Sequence, residues 1–191
     1  MPEYIALIIC VYILALTGAL KRPCAAMGIS AFEACYILLC ALALSIFQLR
    51  VGVEVSINLG AAAMAVLPGI IMKHDGKDSP AGIGTVMLIS MITALLKHNG
   101  GVYGADNGML CGLMAGASAF VYGGSPCAAV CAAGGIPLIT AGVGSLLSLV
   151  FSGYTAFEIG HDTIAAQLIA VSISVVIIWV HSLLPERAKA E

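Results

Sequence analysis

Charge is what this sequence has least of. Asp, Glu, Lys and Arg make up only 9% of its 191 residues, against 61% hydrophobic residues and a mean hydropathy of +1.07. A soluble domain carries about 25% charged residues, so this chain cannot clothe a surface that faces water. The shortage excludes an ordinary soluble globule and makes lipid the expected solvent. Basic clusters are missing too, and the formal net charge is −2. A nucleic-acid partner is therefore excluded, because nothing is arranged to grip phosphate. Catalytic signatures are absent as well: there is no HExxH, nucleophile elbow, P-loop or CxxC. A GxGD-type aspartyl protease needs two aspartates within spans, and here the acids fall at expected helix ends. No enzyme activity and no cofactor is expected; a membrane-embedded enzyme acting on a lipid is the lesser alternative.

Cysteine is not scarce, but its use is uninformative. Seven are present, an odd number lying almost entirely in apolar stretches, which argues against a disulfide framework. Cys127 and Cys131 share an i, i+4 spacing, but no His or acid stands near them in sequence. They read as small core hydrophobes rather than as metal ligands, and no metal site is expected.

Apolar runs are what the chain has in abundance. A bilayer core about 30 Å thick takes roughly 20 residues of helix. Seven stretches qualify: Tyr4–Leu20, Ala31–Leu49, Val53–Met72, Pro80–Leu96, Asn107–Gly123, Pro126–Phe151 and Thr163–Leu184. The expectation is an all-α polytopic bundle forming one integral membrane domain over residues 1–191, with no separate soluble domain. The first stretch follows Glu3 with no Lys or Arg ahead of it. A secretory signal starts positive, so a retained helix is expected. Helix-start chemistry supports the other joints. Ser79-Pro80 and Ser125-Pro126 each offer a hydroxyl cap followed by proline, whose missing N–H costs nothing in a first turn. Ser30 and Glu33 have the spacing of a capping box.

Orientation follows from basic residues in short loops. With the N-terminus outside, the inner loops hold Lys21, Arg22, Lys73, Lys77, Arg187 and Lys189, and the outer segments only Arg50 and Lys97. A multi-pass cell-membrane protein with its N-terminus outside and its C-terminus cytoplasmic is expected, which an odd number of crossings satisfies.

Glycine recurs at Gly104, Gly108, Gly112 and Gly116, one face of a helix. Lipid supplies no hydrophobic force between helices, so bare faces that let backbones approach do the packing. The stripe is a packing seam, and its partner is a helix of the same chain or a second subunit. Asp106 and Asn107 at its head are candidates both to cap the helix and to line a polar outer vestibule spanning residues 97–106. Glu54 is expected at the start of the third helix, with Arg50 one turn before it and Asn58 one turn after. An ionisable group there is costly and so a functional candidate. Two readings stand: an interfacial ion pair beside a structural amide, or a polar track leading inward. Gly134, Gly135 and Pro137 interrupt the sixth stretch, and Pro68-Gly69 makes a lesser break in the third. Proline removes a ladder bond, and transporters build midplane sites from broken helices. The sixth helix is therefore expected to be broken, or kinked and continuous.

Two stretches, Val55–Pro68 and Ala132–Leu147, resemble segments of an uncharacterised family of small multi-pass prokaryotic membrane proteins, a domain of unknown function. The shared pattern is an Ile-Asn-hydrophobic-Gly run ending in proline and a late glycine-rich turn. That resemblance implies membrane residence and no activity. The residues together suggest a small transporter or channel-like protein for an ion or polar solute, its path lined by Glu54, Asn58 and the Gly134–Pro137 break. The alternative is a non-transporting scaffold or partner subunit, in a homo- or hetero-oligomer, docking through the glycine stripe.

Overall fold

A computed structural model of the chain describes residues 9, 10, 12, 13, 16–51, 55–74, 87–95, 107–122, 125–152 and 157–183. After helical residues near the N-terminus and a turn at 17–20, these form α1 (Lys21–Met27), α2 (Ala31–Ser45), β1 (Gln48–Val51), β2 (Val55–Asn58) and α3 (Leu59–His74). There follow α4 (residues 87–95), α5 (Asn107–Tyr122), α6 (Pro126–Ser152), β3 (Phe157–Ile159) and α7 (His161–Leu183). Most of the described chain is helical.

The helix starts follow the capping chemistry. Ser30 Oγ accepts from Glu33 N at 3.1 Å, and Ser30 N donates to a Glu33 carboxylate oxygen at 2.6 Å, closing the capping box of α2. Ser125 Oγ accepts from Ala128 N at 3.2 Å, with Pro126 as the first residue of α6. Asp162 stands in the first turn of α7.

The all-α expectation is corrected by a three-stranded sheet of order β1-β2-β3, antiparallel between β1 and β2 and parallel between β2 and β3. The second expected helix, Ala31–Leu49, ends at Ser45, and the third, expected from Val53, begins at Leu59. Gln-Leu-Arg-Val and Val-Ser-Ile-Asn alternate polar with apolar residues and carry β-branched side chains, the signature of a half-buried strand. Strands β1 and β2 therefore shorten two expected spans. Among the described residues, only Ala128–Phe151 and Asp162–Leu183 are long and apolar enough to cross a membrane; α1 and α2 would add a third only as one span, and they meet at a 92° bend. A seven-span bundle is thus not what the described residues build. Helices α2, α3 and α5 stop at 15 or 16 residues.

The sixth stretch is one uninterrupted helix, with Pro137 inside it; α3 likewise runs through Pro68. Proline is tolerated in a buried helix when neighbours supply the lost polar contacts. The break expected at Gly134–Pro137 does not occur, which leaves the continuous reading.

Helix α7 is the spine of the core. Ile164 and Leu168 pack with Leu38 and Ala41 of α2, Ala61 and Met64 of α3, and Ile159 of β3. Ala170 packs with Ala115 and Ala119 of α5 and with Ala133 and Ile136 of α6. Ile178, near its far end, packs with Cys24 and Met27 of α1. Gly112 and Gly116 of the glycine stripe face this spine. A Cβ on Gly112 would lie 2.8 Å from Ala166 O, and one on Gly116 2.6 Å from Ala170 O. Ser174 Oγ donates to Gly116 O at 3.0 Å across the same seam. The partner of Gly112 and Gly116 is therefore within the chain, and a docking face for a second subunit at these positions is corrected. Gly104 lies outside the described residues, and Gly108 falls in the first turn of α5.

A methyl group at Gly116 would meet backbone, whereas a Cβ at Gly135 meets nothing within 4 Å. Gly116→Ala should destabilise the detergent-solubilised protein by about 1–3 kcal/mol through overpacking. Gly135→Ala should be neutral or stabilising by up to about 1 kcal/mol through helix propensity. Thermal unfolding of both variants tests this; equal effects would refute the α5–α7 seam.

Candidate functional site

Asn58 is fully buried at the join between β2 and α3. Its Nδ2 donates to Ser45 O at 2.9 Å, and its Oδ1 accepts from Gly60 N at 2.8 Å. The oxygen caps α3, and the amide nitrogen ties that cap to the last turn of α2. Gly60 makes the approach possible, since a Cβ there would lie 2.7 Å from Ala41 O. Both polar atoms of this fully buried amide are bonded to backbone, which makes Asn58 a structural joint, and this geometry does not support its expected place on a solute path. The helical ladder from Arg50 through Glu54 to Asn58 fails for the same reason. Arg50 belongs to β1, where it pairs with Ser56, and no helix connects it to Asn58. Glu54 and Asp106 lie outside the described residues, as does the vestibule at 97–106; Asn107 is the first residue of α5.

Gly134 has a different part from the one expected. A Cβ there would stand 2.7 Å from Met64 O, so the missing side chain lets α6 lie directly on the backbone of α3. That contact brings two carbonyls from different helices within reach of one side chain. Gln167 of α7 is fully buried, and its Nε2 donates to Ala61 O of α3 at 3.0 Å and to Gly134 O of α6 at 2.7 Å. With both amide hydrogens committed, the orientation of the group is set. Its Oε1 then has no hydrogen-bond partner among the described residues.

A buried acceptor without a donor costs about 1–3 kcal/mol, a sizeable fraction of a typical folding free energy. Two further features lie on α6 close by in sequence. Pro137 has no N–H to give Ala133 O. Thr140 Oγ1, also buried, has no partner among the described residues. Ser90 Oγ of α4 reaches Ile136 O at 3.4 Å from the other side. The middle of α6 is thus a polar zone in an apolar bundle, with Gln167 as its most deeply buried amide. Chemically it can accept a hydrogen bond or offer a neutral oxygen to a cation.

Gln167 carries no charge, so the cost that marks ionisable groups within spans does not single it out. An uncharged amide inside Thr-Ile-Ala-Ala-Gln-Leu-Ile-Ala is the signal that would have found it, since a buried amide must find partners in the bundle. No family model, curated protein or solved structure matches the chain, so the site's chemistry is argued from its own residues.

Gln167→Leu removes the two donated bonds and the unpaired acceptor together. Gln167→Glu keeps the shape but places carboxyl oxygens against two carbonyls. The Glu variant should be less stable than the Leu variant by about 1–3 kcal/mol, read as the difference in thermal midpoint in detergent. The reverse order would mean that the site accommodates a carboxyl group better than an apolar side chain, contrary to the two carbonyls that face it.

Proposed function

We propose that this chain is an integral membrane protein that passes an ion or small polar solute, with its path beside Gln167 where α3, α6 and α7 meet. The observation that carries the reading is the fully buried Gln167 Oε1, which has no donor among the described residues. Polar groups that hydrocarbon penalises are characteristic of solute pathways. The zone around Pro137 supports the same reading, because a helix with a missing ladder bond presents carbonyl oxygen there. Scaffold docking through the glycine stripe has less support, as Gly112 and Gly116 are occupied by α7.

Membrane residence is supported by the two long apolar helices and by where irregular backbone falls. Strand β1 is exposed along its length and, among the described residues, pairs only with β2. An open sheet edge is not tolerated in hydrocarbon, so the sheet lies at or beyond an interface. The sheet joins the end of α2, the starts of α3 and α7 and the strand leading from α6, which gathers alternate connections at one face. Lys21 and Arg22 belong to α1, whose Cys24 and Met27 pack on Ile178 at the opposite end. The positive-inside rule makes that end cytoplasmic and the sheet external.

Flux into proteoliposomes tests the function. With a panel of protons, sodium, potassium, urea and glycerol, the intact protein should carry at least one above empty vesicles. Gln167→Leu should lower that flux by an order of magnitude or more, whereas Phe32→Leu, at an outward residue 80% exposed, should leave it unchanged. No flux for any solute would overturn the transport reading; unchanged flux in folded Gln167→Leu would overturn the path.

A further inference from the structure

Helix α1 is short, polar on one side and set across the bundle. It meets α2 at 92° after the turn at Gly28, whose φ is 75°. Helix α2 runs from α1 at one end of the bundle to the sheet at the other, so α1 lies across the end rather than along the crossing direction. Its underside is held down: Pro23, Cys24 and Met27 are buried, and Cys24 and Met27 pack on Ile178, with Val130 and Val175 alongside. Its upper side is open. Lys21 and Arg22 are both exposed, and neither has an ion-pair partner among the described residues. Glu33, the one acidic residue among the described residues at this end, has its carboxylate on the Ser30 N–H. Helix α3 also ends here, with Lys73 in its last turn. Trp179, the chain's single tryptophan, follows Ile178 directly and is 43% exposed.

A helix in the plane of the interface, an apolar underside, exposed cations above it with no ion-pair partner among the described residues, and an outward tryptophan at the same level share one environment. Tryptophan gathers at the headgroup level of bilayers, and juxtamembrane Lys and Arg draw anionic lipid within a Debye length. We propose that α1 is an interfacial seat on which Lys21 and Arg22 hold anionic phospholipid headgroups, beside Trp179. The inference rests on the membrane placement given above but not on transport. The phosphodiester and any further headgroup charge meet two fixed cations, and the acyl chains lie against the exposed side of α7 near Trp179.

Because the chain has one tryptophan, its own fluorescence reports this site. The intact protein is reconstituted in bilayers in which either the zwitterionic phosphatidylcholine or an anionic phosphatidylglycerol carries acyl-chain bromines, which quench on contact. The expected result is quenching of Trp179 by both, with the anionic lipid favoured roughly threefold or more in relative binding constant. That preference should fall to about one in the Lys21→Gln, Arg22→Gln double variant. It should also shrink in the intact protein on moving from about 0.1 M to about 1 M salt, where screening shortens from ~10 Å to ~3 Å. The salt arm needs no variant to fold. Equal quenching by the two lipids, or a preference insensitive to both salt and the double substitution, would overturn the proposal. Absence of quenching by either lipid would instead overturn the membrane placement on which it rests.

Discussion

The closest approaches between helices here fall where side chains are missing. In lipid there is no water to expel between helices, so association depends on how closely backbones approach. This chain meets that constraint at four places: Gly60 against α2, Gly112 and Gly116 against α7, and Gly134 against α3. Each puts the backbone of one helix within van der Waals reach of another. The remaining polar architecture follows from these contacts. Asn58 can span α3 and α2 because Gly60 lets them meet, and Gln167 can bond two carbonyls because Gly134 brings α6 onto α3. Small residues elsewhere on the faces, among them Ala61, Ala115, Ala133 and Ala170, continue the same pattern. The core joins these close backbone contacts to larger buried side chains such as Met64, Ile136, Ile164 and Leu168.

The second constraint is that backbone polar groups must be satisfied wherever water is excluded. Among the described residues it fits the gathering of the three short strands, which join successive helices, at one end. It also accounts for the two fully buried amides in the core. Asn58 satisfies a helix start and a helix end at once, with a backbone partner on each of its polar atoms. Gln167 Oε1 has no partner among the described residues, and that difference separates a joint from a candidate site. Two side chains of the same chemistry, equally buried, thus acquire different meanings from their partners alone.

Much of this was legible in the residues, and what was not has definite causes. Hydropathy made the apolar class plain, and side-chain chemistry located helix starts at Ser30 and Ser125 because a cap is a local, three-residue interaction. The glycine repeat identified the seam; its partner could not be read, since periodicity describes one face of one helix and says nothing of what covers it. The strands were hidden because a window of some 19 residues averages a four-residue alternation into its apolar surroundings. Leu59 rather than Val53 begins α3 for that reason, and the apparent one-turn spacing of Arg50, Glu54 and Asn58 dissolved with the helix that defined it. Pro137 suggested a break because proline costs a ladder bond, but the surrounding helices carry α6 through without one. Gln167 stayed unseen because it bears no charge.

The account turns on the claim that Gln167 Oε1 offers hydrogen-bonding capacity to something outside the polypeptide. A high-resolution density map of the protein in a lipid nanodisc tests it most directly. The account predicts a discrete non-protein feature, water or ion, within about 3 Å of Gln167 Oε1, with Nε2 still bonded to Ala61 and Gly134. A protein donor seated on that oxygen, or an empty, sealed contact there, would contradict it.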